Sequence, residues 1–227
     1  MFLKSLMFLL SFALPLVIVV SSGAADRVVI EDWAAGVLGT RGVPEDWTGQ
    51  IWGRPRYDLT IVADAERKVL YLKSENERST ISKKIAGRVH VQDTPILEWQ
   101  WKVMTLPAGG DTRKRETMDQ AGQLYVVWPR FPQALRSRII GYAWDTLAPV
   151  GTSLKSLKAS TVTYIIVRSG NAELGQWVTE RRNLREDYTM LFGEEPKDPG
   201  YILLSIDSND TPSSAEALIG PILFRSP

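Results

Sequence analysis

Between residues 95 and 104 the chain alternates more strictly than anywhere else, with Leu97, Trp99, Trp101 and Val103 on one parity and Glu98, Gln100 and Lys102 on the other. A period of two marks a β-strand with one buried and one wetted face. Two tryptophans on one face carry roughly 150–250 Å² of ring surface each, about as much as a strand offers a core. The segment therefore predicts the centre of a β-sandwich. It holds no group that performs a reaction.

The rest of the chain supplies partners for that strand. Residues 57–63 (YDLTIVA) and 68–73 (KVLYLK) alternate across a short polar turn and predict a hairpin. Short strands are read at 28–31 and 79–85, and a buried strand at 123–128 (QLYVVW) stops at Pro129 and Pro132. Residues 138–144 place Ile140, Tyr142 and Trp144 on one face, and 161–168 (TVTYIIVR) is rich in β-branched residues. Closing strands at 201–206 and 219–224 are joined by the polar segment 207–216. Glycine-rich residues 36–53, near Trp33 and carrying Trp47 and Trp52, read as a structured loop, and 106–120 (LPAGGDTRKRETMDQ) as a charged loop without period. Leu184, Tyr188, Leu191 and Phe192 have helical spacing, with Gly193 as the stop. About ten strands and one short helix predict an all-β, double-sheet sandwich of jelly-roll type.

The chain has 227 residues, 44% hydrophobic and 23% charged, which suits one domain over residues 26–227. Residues 1–25 have a different character: Lys4, an apolar run over 6–20, then Ser21, Ser22, Gly23, Ala24 and Ala25. This is a secretory signal layout with cleavage after Ala24 or Ala25; the alternative is an uncleaved anchor, for which the run is slightly short. The absence of cysteine excludes disulfides and a lipoprotein anchor, so export of this chain fits the bacterial periplasm or secretion. Loss of the leader removes Lys4 and leaves 26 basic residues against 26 acidic. A neutral protein has no global field to gather nucleic acid or anionic lipid, so neither polyanion is an expected partner, and no membrane contact is expected after cleavage.

The order of LEWQWKV (97–103), LPAGGD (106–111), LYVVW (124–128), VRSG (167–170), WVTERRNLREDY (177–188), FGE (192–194) and SIDSNDT (205–211) resembles one bacterial exported family, catalogued as domain of unknown function three thousand and forty-seven. The likeness extends over essentially the whole mature chain. It implies no activity, only a sandwich similar to sugar-binding jelly rolls of galactose-binding or concanavalin-like form. The family pattern has a pair of acids and then a basic residue ahead of the YVV strand. This chain has Asp119, Gln120 and Gln123 there, so an ion or ligand role carried by that pattern does not transfer.

Nucleophilic triads and transition-metal sites lack their residues, since cysteine is absent and the one histidine, His90, reads as a surface residue. Glycoside hydrolysis needs only two facing acids; Glu98 and Glu180 are the candidates, weighed against solvated or ion-paired carboxylates. Asp207, Asn209 and Asp210, with Ser205 and Ser208 and with Asp111 as a further ligand from the loop at 106–120, are hard oxygen ligands suited to calcium, weighed against a polar turn. Arg168, Trp177, Arg181, Arg182 and Asp187 form the ligand-binding candidate, a platform for a sugar or an anionic group; the rival is an ion-pair lattice pinning the helix to the sheet. In the strand read over 175–182, Trp177, Thr179 and Arg181 share one face, taken as interior at Arg181, while Glu180 and Arg182 point to water.

Three functions remain: a non-catalytic envelope module binding carbohydrate or a similar polymer, a carboxylate-dependent glycoside hydrolase, and a periplasmic assembly protein whose exposed aromatics contact another protein. The eight tryptophans and the absent catalytic residues favour the first.

Overall fold

A computed structural model describes residues 27–227; the leader, its cleavage point and the anchor alternative lie outside the described residues. The strands are β1 (Arg27–Glu31), β2 (Thr48–Gly49), β3 (Asp58–Asp64), β4 (Arg67–Glu75), β5 (Arg78–Lys84), β6 (Ile96–Thr105), β7 (Gly122–Trp128), β8 (Arg138–Asp145), β9 (Ser153–Lys155), β10 (Val162–Ser169), β11 (Val178–Asn183), β12 (Tyr201–Asp207) and β13 (Ser214–Arg225). They form two sheets, ordered β11-β6-β13-β4-β3 with β1 also on β13, and β2-β5-β12-β7-β8-β10-β9. The architecture is a double-sheet β-sandwich of jelly-roll type. Only β8 and β10 run parallel among these pairs.

The alternation of β6 sets the core. Leu97, Trp99, Trp101 and Val103 are fully buried, and the rings cross to the second sheet, Trp99 lying 5.2 Å from Tyr142 and Trp101 6.0 Å from Trp144. Ile140, Tyr142 and Trp144 all face inward, as their spacing predicts. Burial of each indole is worth several kcal/mol, about 3–5 on truncation.

Helices are minor. α1 (Gln133–Arg136) is a single turn that the sequence did not signal, and α2 (Leu184–Phe192) closes one end of the sandwich. The Asn183 side chain accepts from the Arg185 and Glu186 amides, and Gly193 ends α2 in a left-handed conformation, φ 70°. Leu184, Asp187 and Tyr188 are its buried side chains. Among the described residues no helix is long and apolar enough to cross a membrane.

The face assignment of β11 is the main correction. Val178, Glu180 and Arg182 point toward the interior side, while Thr179 and Arg181 are exposed. Hydrophobicity did not decide this; pairing did. Glu180 is buried because Trp101 Nε1 donates to it at 3.2 Å and Arg168 Nε at 2.6 Å, joining the two sheets. The terminal strand also begins earlier than read, since β13 covers twelve residues and pairs with both β4 and β6.

Candidate functional site

The outer face of the second sheet is not simply wetted. All seven residues of β7 are buried, and Tyr125, Val162, Tyr164 and Ile166 form a second apolar cluster there with Met118 from the charged loop. Tyr125, Gly141 and Tyr164 stand abreast on β7, β8 and β10. Gly141 has no side chain where a Cβ would lie 2.7 Å from Tyr125 Cε1 and 3.1 Å from Tyr164 Cδ1. Its absence lets the two rings lean together, with hydroxyls 3.0 Å apart.

Beside them lies a recess of about 190 Å³, lined among others by Trp52, Arg78, Thr80, Tyr125, Tyr164 and Asp207. Trp52 stands at its edge and is 54% exposed. The Trp52 segment is tied back by Gln50, whose amide donates to the Thr80 carbonyl at 3.1 Å and whose Nε2 donates to the Trp52 carbonyl at 2.9 Å. The floor is polar. Thr80 and Ser205 hydroxyls meet at 2.9 Å, and the Tyr125 hydroxyl donates to Gln123 Oε1. Asp207 Oδ1 accepts from the Gln120 amide and Gln123 Nε2, each at 2.7 Å.

Arg78 approaches Asp207 without closing on it: Nε stands 3.8 Å from Oδ2 and has no hydrogen-bond partner among the described residues. Burial pushes the Asp207 carboxyl up to about 6, against the pull of Arg78 and the two amide donors. Burial likewise raises the Tyr164 phenol to about 12 and the Tyr125 phenol well above its ordinary value, so both stay neutral donors.

The residues singled out by sequence are mostly elsewhere. Glu98 and Glu180 lie on opposite sides of the first sheet: Glu98 takes Arg181 at 2.7 Å on the outside, and Glu180 is locked inside by Arg168 and Trp101. They do not face each other across a substrate-sized gap. Arg182 Nε donates to Asp187 at 2.9 Å, and Tyr142 adds a hydroxyl to the same carboxylate at 2.7 Å. Arg168, Arg182 and Asp187 therefore belong to the lattice that pins α2 and β11 to the second sheet.

Trp177 lies on the outer face of the first sheet, half-buried, with the Arg67 guanidinium 4.1 Å and the Lys102 ammonium 5.3 Å from its ring centre. Its Nε1 donates to Asp64, whose carboxyl the Lys102 hydrogen bond holds below the usual range. Exposed Arg181 stands apart from this cluster, paired with Glu98. Trp177 and Arg181 thus share the outer face of the first sheet, as their spacing predicts, but each is engaged with its own partners.

Of the calcium candidates, Asp207 is engaged as described, Asp210 is paired with Lys158, and exposed Asn209 donates to Asp210 at 3.1 Å. Asp111 is held by Arg113 at 2.8 Å. Among the described residues no three His, Asp or Glu side chains gather as a metal cluster. His90 is exposed and meets Asp198 at 2.9 Å.

A larger open cleft, about 820 Å³, lies at one end over Trp128 and Tyr188. Its polar groups are largely used by one another: Arg130 donates to the Tyr188 hydroxyl at 2.8 Å, and Arg138 pairs with Glu194 at 2.6 Å. The smaller recess is the better candidate because its donor and acceptor are left open.

Sequence reasoning reached Asp207 but for a metal. It passed over Arg78, Gly141, Tyr164 and the Gln120–Gln123 stretch that it had set aside. A glycine inside an otherwise apolar strand was the available signal.

Fold and recess together define a jelly-roll sandwich with a small aromatic and polar recess on the outer face of one sheet. The chain belongs to the family described as Protein of unknown function (DUF3047), whose model matches residues 45–223. That match is narrower than the whole mature chain and leaves out β1. No curated protein matches. Among solved structures, the chain is similar to a family 11 carbohydrate-binding module from Clostridium thermocellum in complex with a β-1,3-1,4-mixed-linked tetrasaccharide, at 8% identity over 89% of this chain and 97% of that one, TM-score 0.45. A family 30 carbohydrate-binding module of a cellulosomal cellulase of the same organism gives 11% identity, 88% and 97% coverage and TM-score 0.44. The xyloglucanase domain of NopAA, a type three effector from Sinorhizobium fredii, in complex with cellobiose, gives 10%, 83% and 96%, and 0.44. Binding modules and an enzyme domain stand together at this level of likeness, so no ligand or reaction follows from it.

Proposed function

We propose that this is an exported, non-catalytic module that binds carbohydrate or a similar hydroxylated envelope polymer on the outer face of the second sheet. The observation that carries the reading is the recess: an exposed indole, Trp52, standing over a floor of hydroxyls with an unclosed Arg78–Asp207 pair. Amphipathic rings beside a few convergent polar groups are what a sugar, apolar on its ring face and polar at its edge, requires. The leader read in residues 1–25 supports export.

A hydrolytic role finds no support in Glu98 and Glu180, which are tied up on opposite sides of β6 and β11. The assembly reading draws on Phe131 and Leu135, which stand exposed about the short turn α1.

A glycan array followed by calorimetry on its hits tests the proposal. Trp52→Ala is expected to weaken binding by about tenfold or more, about 1.4 kcal/mol, with an unchanged melting curve. Turnover of any bound polysaccharide would overturn the non-catalytic part, and an array without hits would overturn the whole.

A further inference from the structure

Arg78 and Asp207 impose a valence condition on whatever enters the recess. The guanidinium offers only donors and the ionised carboxylate only acceptors. The 3.8 Å between Arg78 Nε and Asp207 Oδ2 is too long for a direct hydrogen bond, and although Nε itself is buried the Arg78 side chain is 41% exposed, so one oxygen entering beside Oδ2 meets both groups. Such an oxygen must accept from Arg78 and donate to Asp207. A hydroxyl does both; a ligand carboxylate or phosphate satisfies Arg78 and then opposes Asp207.

The surroundings carry no surplus of positive charge that would reverse this. The charged and titratable groups around Asp207 are Arg78 on β5, Tyr125 on β7, Tyr164 on β10, and Asp119 and Asp210 on the adjoining loops, with Lys158 paired to Asp210. The recess admits one small unit rather than a long stretch of chain. Trp52 at the edge supplies the surface for a ring face.

We infer that the recess selects a neutral sugar unit, one of whose hydroxyls bridges Arg78 and Asp207, and that it discriminates against uronates and other acidic residues. The inference rests on the proposed binding function and narrows its ligand class. Because the bridging hydroxyl donates to ionised Asp207, neutral-sugar binding tightens as pH rises through the Asp207 titration. An acidic ligand would do the reverse, since bringing a second negative charge beside Asp207 favours its protonated form.

Calorimetry on the full mature chain decides between them, with gluco-, manno- and galacto-configured neutral hexaoses and an oligogalacturonate of equal length, at pH 5 to 8. The expected result is binding of at least one neutral hexaose that strengthens several-fold from pH 5 to 7.5, with oligogalacturonate the weakest. Asp207→Asn is expected to abolish that pH dependence, and Arg78→Gln to weaken binding about tenfold, each checked for folding by circular dichroism. Preferred binding of oligogalacturonate, tightening on acidification, would overturn the neutral-sugar inference and leave the binding module intact. No binding of any oligosaccharide by the folded protein would overturn both.

Discussion

Gly141→Ala separates the shape of the recess from the stability of the fold. The added methyl would lie 2.7 and 2.9 Å from Tyr125 ring carbons and 3.1 Å from Tyr164, where carbon pairs prefer about 3.5–4.0 Å. The obstacles are ring edges rather than backbone, and open space lies next to them, so the rings can give by tilting into the recess. Overpacking of this kind costs about 1–3 kcal/mol. Replacing a strand glycine returns about 0.5–1 kcal/mol of backbone entropy. The net loss in a urea titration is therefore about 0–2.5 kcal/mol, while the displaced rings reduce glycan affinity about tenfold or more. A stability loss above about 4 kcal/mol would show that the rings cannot move. Unchanged affinity would refute the claim that this glycine shapes the site.

Three further outcomes are expected. Trp101→Ala should destabilise by about 3–5 kcal/mol in a denaturant titration, since the ring is fully buried against Trp99 and Trp144; a loss under about 1 kcal/mol would contradict its place in the core. Asp187→Ala should cost about 2–3 kcal/mol by leaving buried Tyr142 and half-buried Arg182 without their shared acceptor, whereas Arg181→Ala, which removes an exposed ion pair to Glu98, should stay within about 0.5 kcal/mol; equal effects would undo the face assignment of β11. Asp207 has a folded-state pKa raised from 3.8 to about 6, so the folded protein holds the extra proton between those values, and this group's contribution is greatest at low pH and falls as pH rises through about 6. Asp207→Asn should accordingly gain on the wild type by up to about 3 kcal/mol between pH 4 and 7.5, read from paired titrations; a flat difference would refute the raised pKa.

Much of the architecture was legible because it follows from periodicity. The four inward residues of β6, the inward triad of β8, the hairpin of β3 and β4, and the helix ending at Gly193 all obey a period or a stop signal that acts locally. β11 was misread because its inward polar residues are buried by partners distant in sequence: Arg168 on β10 reaches Glu180, and Asp187 on α2 reaches Arg182. No local pattern reports such pairing. β2 and β9, two and three residues long, exist through the strands they pair with, β5 and β10.

The recess escaped sequence reading for a related reason. Alternation identifies the inside of a strand only when the outside is wet. In β7 both faces are covered, one by the core and the other by Met118 with the β10 side chains, so QLYVVW reads as uniformly buried and gives no sign that Gln123 and Tyr125 face outward. Tyr164 is hidden in the same way within TVTYIIVR. The polar members come from three separate places, Arg78 at the start of β5, Asp207 at the end of β12 and Gln120 ahead of β7, which meet only because β12 lies between β5 and β7. Strand order therefore creates this site. The same order predicts that its parts act as a unit, so that Arg78→Gln and Asp207→Asn combined should weaken glycan binding by clearly less than the product of their separate effects; effects that simply multiply would mean the two side chains do not share one ligand hydroxyl.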